Sequence, residues 1–307
     1  MRTFLLALML MAGSGMAAEV TDDIGHRLAL SLPVQRMVVL APHATDMLQS
    51  IGAGQQIVAV VDDHETRGAH ARSLSGYPVV ADAFALNEER LLALRPDLVV
   101  VWGDGTPATQ QARLSRLGLP VYTLQARALT DLPRQLRVLG ELTGQEAGAE
   151  LAALAAEQQL QRLAAYGKRP APRLRYFYEV WSQPLYSLQG DHLLSQALAL
   201  CGADNILPPG PVAAPMVNPE FVVQANPDVL IHGKNSTSAV RARWSRFPRL
   251  TAVQKQQWLA VDDPRLARPG PGLLQAAEPL CAQLAQWRIR SGEAVSDKRT
   301  DKRLKAR

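Results

Sequence analysis

The residues able to do chemistry in this chain are few, and their spacing argues against most chemistries. A serine hydrolase of the common α/β type would need a G-x-S-x-G turn, and no serine sits in one. The histidines, at positions 26, 43, 64, 70, 192 and 232, are scattered. Only "HETRGAH" (64–70) brings two within seven residues, and no carboxylate pattern completes a zinc site there. "GDG" (103–105) has neither the glycine spacing of a dinucleotide loop nor the lysine of a phosphate loop. No catalytic residue and no metal ligand is therefore assigned. A periplasmic enzyme or sensor module stands as the reading from another class, and the missing nucleophile motif speaks against the enzyme.

The aromatic residues say more. Phe, Trp and Tyr make up 5% of the chain, yet "RYFYEVWSQPLY" (175–186) places five of them in twelve positions, Tyr178 and Trp181 included. Trp102 ends an apolar run and stands before Gly103, Asp104 and Gly105, where a ring is hard to bury, and Phe84 falls near another strand end. Any one of these rings could instead be core packing. "DDPRLARPGPG" (262–272) crowds Asp263, Arg265 and Arg268 into a Pro/Gly loop, which is either an exposed turn or a polar rim. With His43 in "APHATD" (41–46), the set Phe84, His43, Trp102, Gly103, Tyr178, Trp181, Asp263, Arg265 and Arg268 forms the candidate ligand surface.

The elements that must position these residues follow from periodicity. Arg2 precedes a short apolar run ending in "GSGMAAEV", so residues 1–18 are expected to be a cleaved signal peptide and the mature protein periplasmic. From 19 to 143, "RMVVL", "QIVAVV", "DLVVVW" and "PVYTL" alternate with helical stretches, one with Thr45 as its expected N-cap and Gly52 as its stop. That rhythm predicts a parallel sheet covered on both faces, with ligands beyond the carboxyl ends of its strands. Residues 144–167 predict one unbroken helix about 33 Å long, a strut between lobes. From 168 to 290 the α/β pattern resumes, and Glu89, Pro96 and Asp97 recur as Glu220, Pro227 and Asp228 at a constant offset. The chain has room for two lobes, each expected to have its own core.

Charge and cysteines bound the partners. The formal charge of +5 is carried by "KRTDKRLKAR" (298–307), so residues 291–307 are expected to be a basic, disordered tail and nucleic acid is not an expected partner. Cys201 and Cys281, an even pair in an oxidising compartment, read as a disulfide, with two buried thiols as the alternative.

"LALRPDLVVVWGDGTPATQQARLSRLGLPV", "ALCGADNI" and "AAEPLCAQL" resemble the periplasmic binding proteins of ABC importers for cobalamin, iron-siderophores and haem, and most of all the cobalamin (vitamin B12) branch with its paired cysteines. The resemblance spans nearly all of the mature chain. It implies two Rossmann-like α/β lobes joined by a single long backbone helix, with the ligand cleft between them. It also implies a corrinoid bound as transported cargo with no cofactor, an aromatic at Trp102 lining the cleft, and a monomer whose Glu89 and Glu220 meet arginines of a permease dimer. An iron-siderophore or haem protein of the same fold is the alternative. The chain departs from the pattern at Ala213, Ala214 and Pro215, where an aromatic is expected, and in "DDHETRG", where a Tyr is common. Haem receptors place a Tyr ligand near position 84, which is Phe here. These departures point to a different corrinoid, such as a cobinamide-like precursor, or another flat chelate.

Overall fold

A strand paired on both sides with both faces buried can only be the inside of a sheet, and Leu98, Val99, Val100 and Val101 are all fully buried. The computed structural model describes residues 16–62, 76–82 and 85–304. Phe84 and the segment with His64 and His70 lie outside the described residues, as does the part of the expected signal peptide before Met16.

The first lobe opens with an antiparallel hairpin of β1 (Met16–Thr21) and β2 (Arg27–Leu32). The expected signal boundary at residue 18 therefore overlaps β1, because Met16 to Ala18 pair with Leu30 to Leu32. A five-stranded parallel sheet follows, made of β3 (Met37–Leu40), β4 (Ile57–Val61), β5 (Val79–Ala81), β6 (Leu98–Trp102) and β7 (Val121–Leu124) in the order β5-β4-β3-β6-β7. Its described helices are α1 (Pro42–Ser50), α2 (Glu88–Ala93), α3 (Ala108–Arg116) and α4 (Asp131–Thr143). Helix α1 begins at Pro42, not at Thr45: proline is suited to a first turn, and Thr45 is fully buried inside the helix.

Helix α5 (Glu146–Gly167) is the predicted strut. It ends on a glycine for a steric reason, since a side-chain carbon at Gly167 would sit 2.0 Å from the Leu200 carbonyl oxygen. The second lobe holds β8 (Leu174–Glu179), the hairpin β9 (Trp181–Ser182) and β10 (Leu185–Tyr186), α6 (Leu193–Leu200), β11 (Ala203–Asn205), α7 (Pro219–Ala225), β12 (Val229–Gly233), α8 (Thr237–Trp244), α9 (Thr251–Gln254) and β13 (Trp258–Val261). Its parallel sheet runs β11-β8-β12-β13. Helix α10 (Pro271–Leu304) closes the chain. The expected disordered tail is thus helical through Leu304: no proline follows Pro279, and Ala, Glu, Lys and Arg are good helix formers.

The internal repeat holds at the level of single hydrogen bonds. Asn87 and Asn218 cap α2 and α7 with their side chains, which puts Glu89 and Glu220 at the same helical position. After each helix a left-handed residue, Arg95 or Asn226, both at φ 47°, turns the chain. Then Asp97 accepts the backbone N–H groups of Gln35 and Arg36, while Asp228 accepts that of Arg175. Arg36 donates to the Leu94 carbonyl and Arg175 to that of Ala225, each fastening a helix end to the start of the neighbouring strand.

Each lobe has a core of its own, around Val38, Val99 and Leu114 in the first and Phe177, Leu230 and Trp244 in the second, and a third is shared between them. One apolar cluster runs from Met37, Val39 and Leu98 through Ala149, Ala153 and Leu163 of α5 to Tyr176, Ile231 and Leu274 of the second lobe. Helix α5 is Ala-rich on its buried positions, which lets both lobes approach it closely, so the strut is the middle of a shared core. Cys201 and Cys281 form a disulfide with Cα atoms 5.4 Å apart, both fully buried, joining the end of α6 to α10. Beside it the buried Arg288 donates to the carbonyls of Tyr166, Ala171, Pro172 and Cys201, filling acceptors left over where α5 and α6 end.

Candidate functional site

In each sheet the chain order reverses once, and the strands on either side of the reversal splay their outgoing loops apart. In the first sheet that point lies between β3 and β6. His43 follows β3 and Trp102 ends β6, and their rings meet edge to face with centroids 5.3 Å apart. Trp102 is half-buried, its ring lying so close over Gly105 that a side-chain carbon there would come within 1.9 Å of it. The Trp102 backbone N–H donates to the Thr106 hydroxyl, which closes the Gly-Asp-Gly turn beneath the ring. Gly103 receives the Gln111 amide on its carbonyl and is packed by Gln125.

His43 is 3% exposed, and its Nδ1 has no hydrogen-bond partner among the described residues. Burial, helped by the charge of Arg268, lowers its pKa to about 3, so it is a neutral imidazole. It is the back wall of Trp102. Gly270 of the other lobe lies next to it, for a side-chain carbon there would be 3.4 Å from the His43 Cβ.

In the second sheet the reversal lies between β8 and β12. A cavity of about 1150 Å³ opens there, lined by the strand ends Tyr178, Gly233 and Val261 and by the loop residues Asp262 and Asp263. The hairpin residues Trp181 and Ser182, Arg243 of α8 and Arg246 just after that helix form its other walls. Trp181 is 63% exposed, its Nε1 donating to the Gln183 carbonyl, so an indole face is held open to solvent. Burial pushes the Tyr178 hydroxyl up to about 12, leaving it a neutral donor.

Tyr178, Trp181 and Asp263 are thus brought together on one cavity wall, while Trp102, Gly103 and His43 gather at the first switch point. Arg265 is not among the lining residues and binds Asp263 through the Nε and Nη2 edge of its guanidinium, at 2.6 Å for Nη2. Arg268 is buried at the seam beside His43. Glu89 and Glu220 are exposed on their helix starts. Sequence reasoning missed the charged residues Glu179, Lys234, Arg243, Arg246 and Asp262. Glu179 alone carried a signal, as a carboxylate inside an aromatic strand; the arginines of "VRARWSR" look like any solvated helix face. Among the described residues no group of three His, Cys, Asp or Glu could hold a metal ion, and no helix is long and apolar enough to cross a membrane.

Residues 37–263, from the first strand of the first sheet to the Asp263 loop, match the periplasmic binding protein family. The chain belongs to that family. A vitamin B12-binding protein of Pectobacterium carotovorum subsp. carotovorum is 35% identical to this binding protein over 266 residues, spanning 83% of this chain and 90% of that one. The crystal structure of the periplasmic vitamin B12 binding protein BtuF of Vibrio cholerae superposes with a TM-score of 0.72 at 30% identity, covering 83% of this chain and 98% of that one. The periplasmic haem binding protein HutB of Vibrio cholerae shares the fold, with a TM-score of 0.67 at 22% identity and coverage of 81% and 98%.

Proposed function

We propose that this binding protein captures a cobalamin-type corrinoid at the facing switch points of its two lobes and delivers it to an ABC importer in the periplasm. The observation that carries the reading is the cavity of about 1150 Å³ at the second switch point, at the upper end of the range for small-molecule sites, in a chain whose B12-binding relatives align over four fifths of its length. Flat ring faces suit a flat macrocycle: Trp181 offers an exposed indole and Trp102 a half-buried one. The apolar run after Arg2 would serve as the export signal, the corrinoid would be cargo and not a cofactor, and the protein would act as a monomer without catalysis.

Glu89 and Glu220, one per lobe on matching helix starts, would meet cationic residues of a permease dimer. The test is the visible spectrum and mass of what co-purifies, then calorimetry with cyanocobalamin, cobinamide, haemin and a ferric siderophore. Corrinoid binding with no response to haemin or siderophore is the expected result. Tight haemin or siderophore binding without corrinoid binding would move the protein to the iron branch.

A further inference from the structure

The cavity wall holds one cation, Arg243, whose place the fold fixes and whose guanidinium is only partly engaged. Glu179 ends β8 at 2% exposure, with each carboxylate oxygen engaged: the Ser182 hydroxyl donates to Oε1 and the Trp244 indole N–H to Oε2, both at 2.6 Å. Trp244 is fully buried against Phe177, which fixes the end of α8. Arg243, the residue before it, is carried to the cavity wall with its Nε 3.7 Å from Glu179 Oε1. That spacing gives ionic attraction without a hydrogen bond. Its Nη2 donates to the Ser182 carbonyl, its Nε is buried facing Glu179 without a hydrogen bond, and Nη1 makes no hydrogen bond among the described residues.

The acids on the same wall are engaged by other cations. Asp262 pairs with Lys234 at 3.4 Å, and Asp263 with Arg265. The fork of Arg243 is therefore aimed by one carboxylate and one carbonyl, with its outer Nη1 left as a donor in a cavity whose other cations are the paired Lys234 and the exposed Arg246. Such a planar fork pairs with an oxyanion through two parallel hydrogen bonds.

We propose that Arg243 reads an oxyanion on the transported ligand, with Glu179 as the residue that positions it. The proposal rests on the cleft being the ligand site and reverses the sequence-based expectation of a cobinamide-like ligand: a corrinoid bearing its phosphodiester loop is preferred over one lacking it. Phosphate and carboxylate share the chemistry, so the test separates them. Cyanocobalamin carries the phosphodiester, dicyanocobinamide carries neither group, and haemin carries two carboxylates. An arginine that merely neutralised Glu179 would affect stability and leave ligand preference alone.

Calorimetry at low salt on the full chain and its Arg243→Gln, Arg243→Lys and Glu179→Gln variants decides between these. The intact protein should prefer cyanocobalamin over dicyanocobinamide by roughly tenfold or more, the worth of one charge-assisted hydrogen bond. Arg243→Gln should erase that preference while keeping the dicyanocobinamide affinity, and Glu179→Gln should lower it with Arg243 still present. Arg243→Lys, which keeps the charge beside Glu179, should retain part of it and carries the test if the glutamine variant does not fold. An unchanged preference, or equal losses on both corrinoids, overturns the proposal. Binding of haemin alone overturns the corrinoid reading instead, and the oxyanion role then stands if Arg243→Gln weakens haemin by a similar factor and falls if it does not. Failure of all three to bind overturns both.

Discussion

His43 gives the site a pH signature of its own. The unfolded chain takes up its proton near pH 6.5, whereas the folded chain resists until about 3. The unfolded state therefore binds more protons across that window, so the stabilisation is complete above pH 6.5 and is lost as pH falls, by up to about 1.4 kcal/mol per pH unit. Denaturant unfolding at pH 7.5 and 5.0 should show a loss of about 2 kcal/mol from this group, absent in His43→Gln. A pH dependence equal in the two proteins would mean that the imidazole already titrates normally. Next to it, Gly105→Ala would force the Trp102 ring off its seat, because the new carbon would lie 1.9 Å from the indole. Ligand affinity should fall about tenfold with a shift in tryptophan emission, the worth of one aromatic face. Parental emission and affinity would place that ring outside the ligand surface. Trp102 was legible in the sequence because glycines follow an apolar run there; His43 was legible only as a loop residue, since its burial and the charge of Arg268 beside it appear only in three dimensions.

At the scale of elements, the α/β rhythm, the 22-residue strut and the repeat at constant offset could all be read from apolar runs punctuated by Gly and Pro. What periodicity missed was the reach of α10: a basic run without a helix stop looks like a tail, and nothing local tells a helix that continues from one that frays. The disulfide was legible from cysteine number and compartment, but its task is visible only in three dimensions, where it ties α6 to α10 across 80 residues. In the chain-entropy model that closure is worth roughly 4 to 5 kcal/mol. Cys201→Ser with Cys281→Ser should lower the unfolding free energy by that order while ligand affinity stays within about twofold, because neither sulfur reaches the cavity wall. A comparable loss of affinity would mean that the end of α6 shapes the cleft.

At the scale of the whole molecule, the two capped helix starts place one exposed acid on each lobe, related by the internal repeat. Replacing Glu89 and Glu220 together by Ala should leave calorimetric affinity unchanged and reduce uptake by a reconstituted importer, and the intact protein's uptake should fall with ionic strength. Normal uptake by the double variant at limiting ligand would assign both acids to helix-end stabilisation alone, worth about 0.3 to 1 kcal/mol each.

The apolar cluster that passes unbroken through α5 bears on how such a partner could tell a full carrier from an empty one. Swinging the lobes apart would tear a close-packed interior, so the loaded and empty forms are expected to present one outline. An importer reading only that outline would accept empty carriers as readily as full ones. Added ligand-free protein should then slow uptake as a plain competitor, with an inhibition constant equal to the docking constant of the loaded form, and small-angle scattering should give the same radius of gyration for both.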